Sequence, residues 1–252
     1  MEALDTRMTS DVNSPHKWDD NYQRGTDGWD LGGPTPVFKR LASSNRFKPG
    51  RMIVLGAGRG HDAREFSRHG FKVTAVDFSE YVVGQMRNLA DPDAPIEILQ
   101  HDIFQLPDEL NSSFDYLLEY TCYCAIDPKR RAEYADLVAR LLKPNGIYID
   151  LAFPLDDRKG GPPYAVKELE IFDLFESRGF KLVSREKPED SVKPRRHAEE
   201  LFIFQKQNNR CCLLTLPLGK TVYCRYGSAK GSSLHWNVCG HDPPLDQSAA
   251  AL

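Results

Sequence analysis

Three glycines at alternate positions, Gly56, Gly58 and Gly60, directly follow the apolar run 52–55. Because glycine has no Cβ, a loop of this composition lets the backbone turn sharply and approach a ligand closely. A helical segment is predicted to begin near His61, and the free N–H groups at its start would favour a carboxylate or a phosphate. The pattern therefore indicates a loop that binds a nucleotide-like cofactor.

Two carboxylates follow the next two strand-like segments. Asp77 comes after residues 72–76, close to the roughly 20-residue offset at which a carboxylate accepts hydrogen bonds from ribose hydroxyls. Asp102, which follows residues 96–100, can accept from an adenine amine while Ile103 covers the ring. Both a dinucleotide and S-adenosylmethionine fit this arrangement. The third glycine lies one position earlier than a dinucleotide fingerprint requires, so S-adenosylmethionine is favoured.

Aromatic residues precede this region at Trp18, Tyr22 and Trp29, a set that we call the aromatic lid. Two interpretations stay open for it. The rings can pack a leader segment onto the domain, or they can cover a cation, because aromatic faces attract positive charge. The sulfonium of S-adenosylmethionine is such a cation, and the same rings would exclude water from it.

Strand-like and helix-like segments alternate through most of the chain. Such alternation is typical of an open sheet with helices on both faces, joined by right-handed crossovers. We therefore predict an α/β fold: a single Rossmann-like, doubly wound domain with a mostly parallel seven-stranded sheet whose last strand is antiparallel. The predicted strands are 52–55, 72–76, 96–100, 114–120, 146–153, 180–183 and 200–204, and the helices after the glycine loop are 79–89, 127–142 and 166–178.

The composition argues against several kinds of partner. The chain has 252 residues and a formal charge of −3, with both signs interspersed, so neither nucleic acid nor a membrane is an expected partner. Residues 1–14 are polar, unlike a secretory signal. We expect a cytoplasmic protein and, as the simplest oligomeric state, a monomer. No metal site is expected, because the six cysteines form no C-x-x-C pair.

Three regions are predicted along the chain. Residues 1–16 form a flexible N-terminus, and residues 17–206 form the cofactor-binding domain with its aromatic lid. Residues 207–252 form a poorly ordered appendage of unknown role, because this stretch contains no glutamate and its regular alternation of segments is lost.

Several motifs, in this order along the chain, resemble the small-molecule thiol and halide methyltransferases, within the wider group similar to thiopurine S-methyltransferase. The most specific are the tryptophan-bearing leader at 28–36 and the sequence Gly-Gly-Pro-Pro-Tyr at 160–164. The resemblance extends over residues 18–206. The other matching pieces are 56–62, Asp77, Asp102-Ile103, Tyr120, 124–126 and 142–146.

The resemblance implies that the cofactor is S-adenosylmethionine and that the aromatic lid closes over it. It also implies that Tyr120, after the fourth predicted strand, contacts the cofactor. Together with the glycine loop, the predicted cofactor-binding set is Trp18, Tyr22, Trp29, Gly56, Gly58, Gly60, Asp77, Asp102, Ile103 and Tyr120.

The reaction that the resemblance implies is methyl transfer to a small thiol or anion, namely hydrosulfide, thiocyanate or halide, by in-line displacement. An acceptor that is already ionised needs no strong general base, so positioning and desolvation would supply most of the acceleration. Tyr164 is the predicted acceptor-positioning residue, because its phenol can donate to an anion from a stiff loop, and Tyr123 could line the same pocket. Arg195 and Arg196 either attract anions or form a solvated turn.

Two other functions stay open. The acceptor can be a larger thiol, such as a thiopurine or an aryl thiol, because pocket volume cannot be read from a sequence. Alternatively, the chain can bind the cofactor without turnover, as a regulatory protein. A hydride-transferring dehydrogenase is the least favoured function, since the glycine spacing departs from the dinucleotide fingerprint.

Overall fold

A computed structural model of the chain describes residues 11–208, 212–215 and 221–224. The chain divides into two units, residues 1–207 and residues 208–252. In the second unit, two strands, β8 (Cys212–Thr215) and β9 (Thr221–Cys224), form an antiparallel pair. Apart from these two strands and residues 207–208, the predicted appendage at 207–252 lies outside the described residues, as does most of the predicted N-terminal region 1–16.

The first unit contains a seven-stranded sheet. Its order is β3-β2-β1-β4-β5-β7-β6, and β7 runs antiparallel to both of its neighbours while the other pairs are parallel. The predicted mostly parallel sheet with an antiparallel last strand is therefore confirmed. The strands are β1 (Arg51–Leu55), β2 (Lys72–Asp77), β3 (Glu97–Gln100), β4 (Phe114–Glu119), β5 (Leu142–Ala152), β6 (Phe180–Glu186) and β7 (Glu200–Lys206).

Six α-helices accompany the sheet in the described part of this unit. Two of them, in the leader, were not predicted, because they are short and begin at prolines, which suit a first helical turn but give little other signal. The helices are α1 (Pro15–Arg24), α2 (Pro36–Ser43), α3 (His61–Arg68), α4 (Glu80–Asn88), α5 (Arg131–Leu141) and α6 (Glu168–Glu176). Helix α1 thus begins two residues before the predicted domain boundary at 17.

Helices cover both faces of the sheet. Neighbouring residues of a strand point to opposite faces, so Leu117 and Leu118 of β4 belong to two different hydrophobic clusters. One cluster includes Tyr134 of α5, and the other includes Phe38 of α2 and Phe66 of α3, all fully buried. Because helices cover both faces, we expect a ligand at the loops that follow the carboxyl ends of the strands, where α/β sheets bind their ligands.

The predicted start of the fifth strand is wrong. The predicted helix 127–142 and strand 146–153 leave the sequence Lys-Pro-Asn-Gly at 143–146 as a turn between them. The structure instead ends α5 at Leu141 and pairs Leu142 with Phe114 at once. The ladder then shifts register before Ile147 pairs with Tyr116, so residues 143–146 form an irregularity within β5.

In the part of the chain that the structure describes, none of the helices combines the length and the apolar character that crossing a membrane requires.

Candidate active site

A cavity of about 640 Å³ opens at the carboxyl ends of the strands. Its volume falls within the range of about 300–1,000 Å³ that is typical of small-molecule sites. Loops that follow β1, β2, β4 and β5 contribute to its wall, and the leader covers it. Seven of the ten predicted cofactor-binding residues line it: Trp18, Tyr22, Trp29, Gly56, Asp77, Asp102 and Ile103.

The glycine loop has a backbone that other residues would adopt only with strain. Gly56, Gly58 and Gly60 have φ of 60°, 56° and 73°, in the left-handed region that favours glycine. A Cβ on Gly56 would lie 2.8 Å from the Cys122 sulfur, so the loop is also closely packed there. Gly60 precedes α3 and faces Met86 rather than the cavity. Of the three, Gly56 is therefore the glycine whose backbone the cavity exposes.

Asp77 ends β2 with its side chain in the cavity wall. Its Oδ2 accepts from the Gly58 amide at 2.9 Å, and its Oδ1 accepts from the Ser79 amide at 3.0 Å. Burial raises the pKa of Asp77 to about 6, although these amide hydrogen bonds oppose the rise. A carboxylate has about four acceptor positions, so Asp77 can hold the glycine loop and still accept from a ligand hydroxyl.

Asp102 and Ile103 follow β3 and form a second part of the wall. Asp102 Oδ1 accepts from the Phe104 amide at 2.9 Å, which fixes the turn that carries both residues. The Arg130 guanidinium lies 3.6 Å from the centre of the Phe104 ring, and both residues line the cavity. The predicted partners of an adenine ring thus line the same cavity as Asp77.

The aromatic lid is assembled as one cluster. The Trp29 ring meets Trp18 and Tyr22 edge-on, with centroids 5.4 and 5.5 Å apart, and Trp29 Nε1 donates to Tyr22 Oη at 3.1 Å. All three rings line the cavity. The Arg59 guanidinium lies 5.2 Å from the centre of the Tyr22 ring, so one face of this ring already meets a cation. Aromatic faces attract positive charge, so the remaining faces of the lid suit a cationic ligand.

Polar anchors hold the leader against the sheet domain, among them the following four. Asp19 accepts from the Ser79 hydroxyl, Arg59 pairs with two aspartates of the leader, Thr35 donates to Asp62, and Arg195 donates to two leader carbonyls. The distances are Ser79 Oγ to Asp19 2.5 Å, Arg59 to Asp27 and Asp30 2.5 and 2.6 Å, Thr35 Oγ1 to Asp62 2.9 Å, and Arg195 to the Trp29 and Gly28 oxygens 2.9 and 3.2 Å. The lid is therefore closed in this structure.

Three predicted tyrosines do not line this cavity. Tyr120 turns its hydroxyl away, between Arg195 and Glu199. Tyr123 is buried against Tyr134, with centroids 5.4 Å apart. Tyr164 donates its amide to the Cys124 carbonyl at 2.7 Å. The roles predicted for all three, and for Gly58 and Gly60, stay predictions, since the structure does not bring them to the wall.

Sequence reasoning missed part of the wall. Cys122 and Cys124 line the cavity because β4 ends at Glu119 and a turn follows, and Phe153 lines it directly after β5. The rule that ligands bind beyond the carboxyl ends of strands would have pointed to these positions. Pro162 and Pro163 are also present, so the 160–164 loop contributes its prolines where the phenol of Tyr164 was expected.

The buried carboxylate of Glu119 lies behind this wall and holds its backbone in place. Its Oε1 accepts from the Tyr123 amide at 2.6 Å, and its Oε2 accepts from Tyr134 Oη at 2.8 Å, which holds the turn that carries Cys122 and Cys124. Burial raises the pKa of Glu119 to about 7, against the lowering effect of these hydrogen bonds. The folded state therefore retains this proton in a pH range where the unfolded chain has lost it.

This difference predicts a pH dependence of stability that Glu119→Gln reduces. Because the folded-state pKa is raised, the stabilisation is complete below the unfolded value of 4.5 and is lost as pH rises to about 7. The loss amounts to at most about 3 kcal/mol at 1.36 kcal/mol per pKa unit. Urea unfolding between pH 5 and 8 should therefore show a smaller decline for Glu119→Gln than for the wild type. Equal declines in the free energy of unfolding of both proteins would show that Glu119 does not retain the proton. Glu133→Gln, at an exposed carboxylate, is the control.

The fold and the site define a class: an open α/β sheet with a cofactor cavity at its strand ends, a glycine loop and a carboxylate after the second strand. Comparison with known proteins gives the family. The chain matches the model of the thiopurine S-methyltransferase (TPMT) family over residues 13–211. It belongs to that family and is an S-adenosylmethionine-dependent methyltransferase.

Individual relatives agree with this assignment. The chain is 34% identical over 199 residues to "Probable thiol methyltransferase 2" of Arabidopsis thaliana, which covers 78% of this chain and 87% of the relative. It is 33% identical over 195 residues to "Thiocyanate methyltransferase 1" of Brassica oleracea, with 76% and 85% covered. The structure of Burkholderia thailandensis 1,6-didemethyltoxoflavin-N1-methyltransferase with S-adenosylhomocysteine shares the fold, with a TM-score of 0.61 at 18% identity over 82% of this chain and 93% of that one.

Proposed function

We propose that this enzyme transfers the methyl group of S-adenosylmethionine to a small thiol or anion, of which hydrosulfide, thiocyanate and halide are the candidates. The observation that carries the proposal is the make-up of one cavity wall. It combines aromatic rings that suit a cationic donor with the buried guanidinium of Arg195, which suits an anionic acceptor. Names of relatives that specify thiol and thiocyanate methylation support the same acceptor class.

The donor fits the residues that are present. Gly56 lines the cavity without a side chain, and Asp77 retains acceptor positions for ribose hydroxyls. Asp102 and Ile103 would hold the adenine, and the aromatic lid would face the sulfonium. When bound, the donor supplies an electrophilic methyl group on a positively charged sulfur. The role of these residues is to orient that group and to exclude water from it.

The acceptor would be received by another part of the wall, which we call the acceptor end: Phe153, Pro162, Pro163 and Arg195. Arg195 is 7% exposed, and its hydrogen-bond acceptors among the described residues are one hydroxyl and two carbonyl oxygens. No carboxylate in this contact set neutralises it, so an anion in the cavity would gain a charge-assisted partner. The acceptor lone pair then forms the new bond to the methyl carbon as the carbon–sulfur bond of the donor breaks.

A headspace assay tests the acceptor class. The full chain is incubated with S-adenosylmethionine and, separately, iodide, thiocyanate or hydrosulfide, and volatile methylated product is measured by gas chromatography. Thiopurine and aryl thiol acceptors are assayed in parallel by following S-adenosylhomocysteine. We expect turnover with at least one small anion. Turnover only with the larger thiols would contradict the proposal, and donor binding without turnover on any acceptor would favour a regulatory protein.

The aromatic lid predicts a graded effect of two substitutions. Trp29→Ala removes the ring that contacts both Trp18 and Tyr22, so kcat/KM should fall on the order of 30-fold, from lost ring packing and cation attraction. Trp29→Phe keeps a ring and loses only the bond to Tyr22 Oη, so its loss should be a few-fold. Steady-state kinetics at saturating acceptor checks both. Equal activities of the alanine variant and the wild type would mean that the lid does not contribute to catalysis.

The proposal includes a monomeric state and a cytoplasmic location, both expected from the sequence. Light scattering on the purified full chain should return one chain mass of 28.6 kDa. A measured mass of twice this value would show that the protein is a dimer.

A further inference from the structure

Arg195 joins the leader to the sheet. Its Nη2 donates to the carbonyls of Gly28 and Trp29, and its Nη1 donates to Tyr120 Oη at 2.7 Å. Tyr120 in turn donates to Glu199 Oε2 at 2.7 Å, so the guanidinium is held from the sheet side by a partly buried chain of hydrogen bonds that ends at the buried Glu199. Removing Arg195 would release the segment that carries Trp29 from the end of β4.

Among the four anchors described above, Arg195 differs in one respect. The side chains of Asp19, Arg59, Thr35 and Asp62 hold the leader from outside the 640 Å³ cavity, whereas Arg195 lines it. Arg59 is also neutralised by two aspartates, at 2.5 and 2.6 Å. Arg130, which donates to Asn13 at 3.2 Å, also lines the cavity, but Glu133 accepts from it at 2.8 and 3.0 Å. Arg195 is therefore the cavity-lining anchor whose hydrogen-bond partners among the described residues include no carboxylate.

Rings constrain the guanidinium on its remaining sides. Its central carbon lies 5.1 Å from the centre of the Tyr120 ring and 5.2 Å from that of Phe153. A cation in this setting interacts favourably with the rings, but among the described residues no carboxylate accepts a hydrogen bond from it. An anion beside Phe153 would supply a negative partner, and it would favour the arrangement in which Arg195 also holds the two leader carbonyls.

We propose that Arg195 is a positioning residue that couples the arrival of an anion at the acceptor end to closure of the aromatic lid. This inference rests on the proposed function, because it takes the acceptor to be an anion. Coupling of this kind is reciprocal: if an anion favours the closed lid, the closed lid binds the anion more tightly. Water would then be excluded only when both substrates are present.

Hydrogen exchange of the leader amides tests the coupling. The full chain, saturated with S-adenosylhomocysteine, is compared with and without sodium thiocyanate, with sodium sulfate at equal ionic strength as the control. Because the donor product carries no transferable methyl group, no reaction consumes the anion. We expect thiocyanate to slow exchange in peptides covering residues 18–36 about fivefold, a typical size for coupling between two sites. Sulfate strengthens burial throughout a protein, so it should slow these peptides no more than the rest of the domain.

Two variants separate the coupling from general loosening of the lid. In Arg195→Met, leader exchange should be faster than in the wild type and insensitive to thiocyanate. In the control Arg59→Gln, which removes an anchor outside the cavity, exchange should also be faster, but thiocyanate should still slow it. Arg195→Lys retains the charge without the forked geometry, so a partial response is expected.

The outcomes distinguish this inference from the proposed function. If Arg195→Met keeps the thiocyanate response, or if Arg59→Gln loses it equally, Arg195 does not couple the two events. If the wild type binds S-adenosylhomocysteine and turns over a small anion but its leader exchange ignores thiocyanate, the coupling is wrong and the proposed function stands. If the wild type turns over no small anion, the proposed function fails first.

Discussion

Asp77→Ala is expected to weaken binding of S-adenosylhomocysteine by several hundred-fold, the largest effect that we predict for a single side chain. The substitution removes a carboxylate that lines the cavity and that also accepts from the amides of Gly58 and Ser79. Two charge-assisted hydrogen bonds to ribose hydroxyls contribute about 1.5–3 kcal/mol each, and the loop loses its anchor in addition. Isothermal titration calorimetry measures the change.

The control for this prediction is Asp115→Ala. Asp115 is a half-buried carboxylate of β4 that pairs with Lys143 at 2.7 Å and does not line the cavity. Its removal should leave the affinity for S-adenosylhomocysteine unchanged. If Asp77→Ala binds as tightly as the control while both remain folded, Asp77 is not a cofactor residue.

Gly56→Ala is expected to weaken binding of S-adenosylhomocysteine for two separable reasons. The added Cβ would lie 2.8 Å from the sulfur and 2.9 Å from the Cβ of Cys122, and alanine at a φ of +60° is strained in any case. Overpacking and backbone strain of this kind each cost about 1–3 kcal/mol. We expect the affinity for S-adenosylhomocysteine to fall on the order of 100-fold.

A second substitution separates the packing conflict from the backbone strain. Cys122→Gly in the Gly56→Ala background removes the packing conflict but not the strain, so it should recover part of the lost affinity. Gly84→Ala is the matched control, because a Cβ at Gly84 meets nothing within 4 Å in helix α4, and stability should rise slightly. No recovery in the double variant would show that contact with Cys122 does not limit the loop.

The donor side of the site could be predicted because its signals are local. Gly56 directly follows β1, Asp77 ends β2 and Asp102 lies two residues after β3, and the carboxyl ends of parallel strands meet at one edge of the sheet. Such positions can be read from hydrophobic periodicity alone. The element types between residues 51 and 206 were predictable for the same reason, with boundaries off by a few residues.

The acceptor side could not be read in the same way. Arg195 reaches the leader only because β7 inserts between β5 and β6, which brings the loop before β7 back beside Trp29. From the sequence, the same arginine could equally be part of a solvated turn. Tyr123 shows the converse case: whether its ring faces the cavity or the core depends on a single turn, which Glu119 holds by its buried carboxylate.

The two leader helices were missed because their burial depends on partners far along the chain. Helix α1 is mostly polar, and it is held by Asp19, which accepts from Ser79 at the start of α4. Helix α2 begins after Thr35, whose hydroxyl donates to Asp62 of α3. Short helices of this kind are stabilised by tertiary contacts more than by propensity.

The crystal structure of the full chain with S-adenosylhomocysteine is the most direct test of how the donor is held. We expect the ribose within hydrogen-bond distance of Asp77, the adenine beside Asp102 and Ile103, and the sulfur beneath the rings of Trp18, Tyr22 and Trp29. A ligand bound outside this cavity, or an empty cavity at saturating ligand, would show that this cavity is not the donor site.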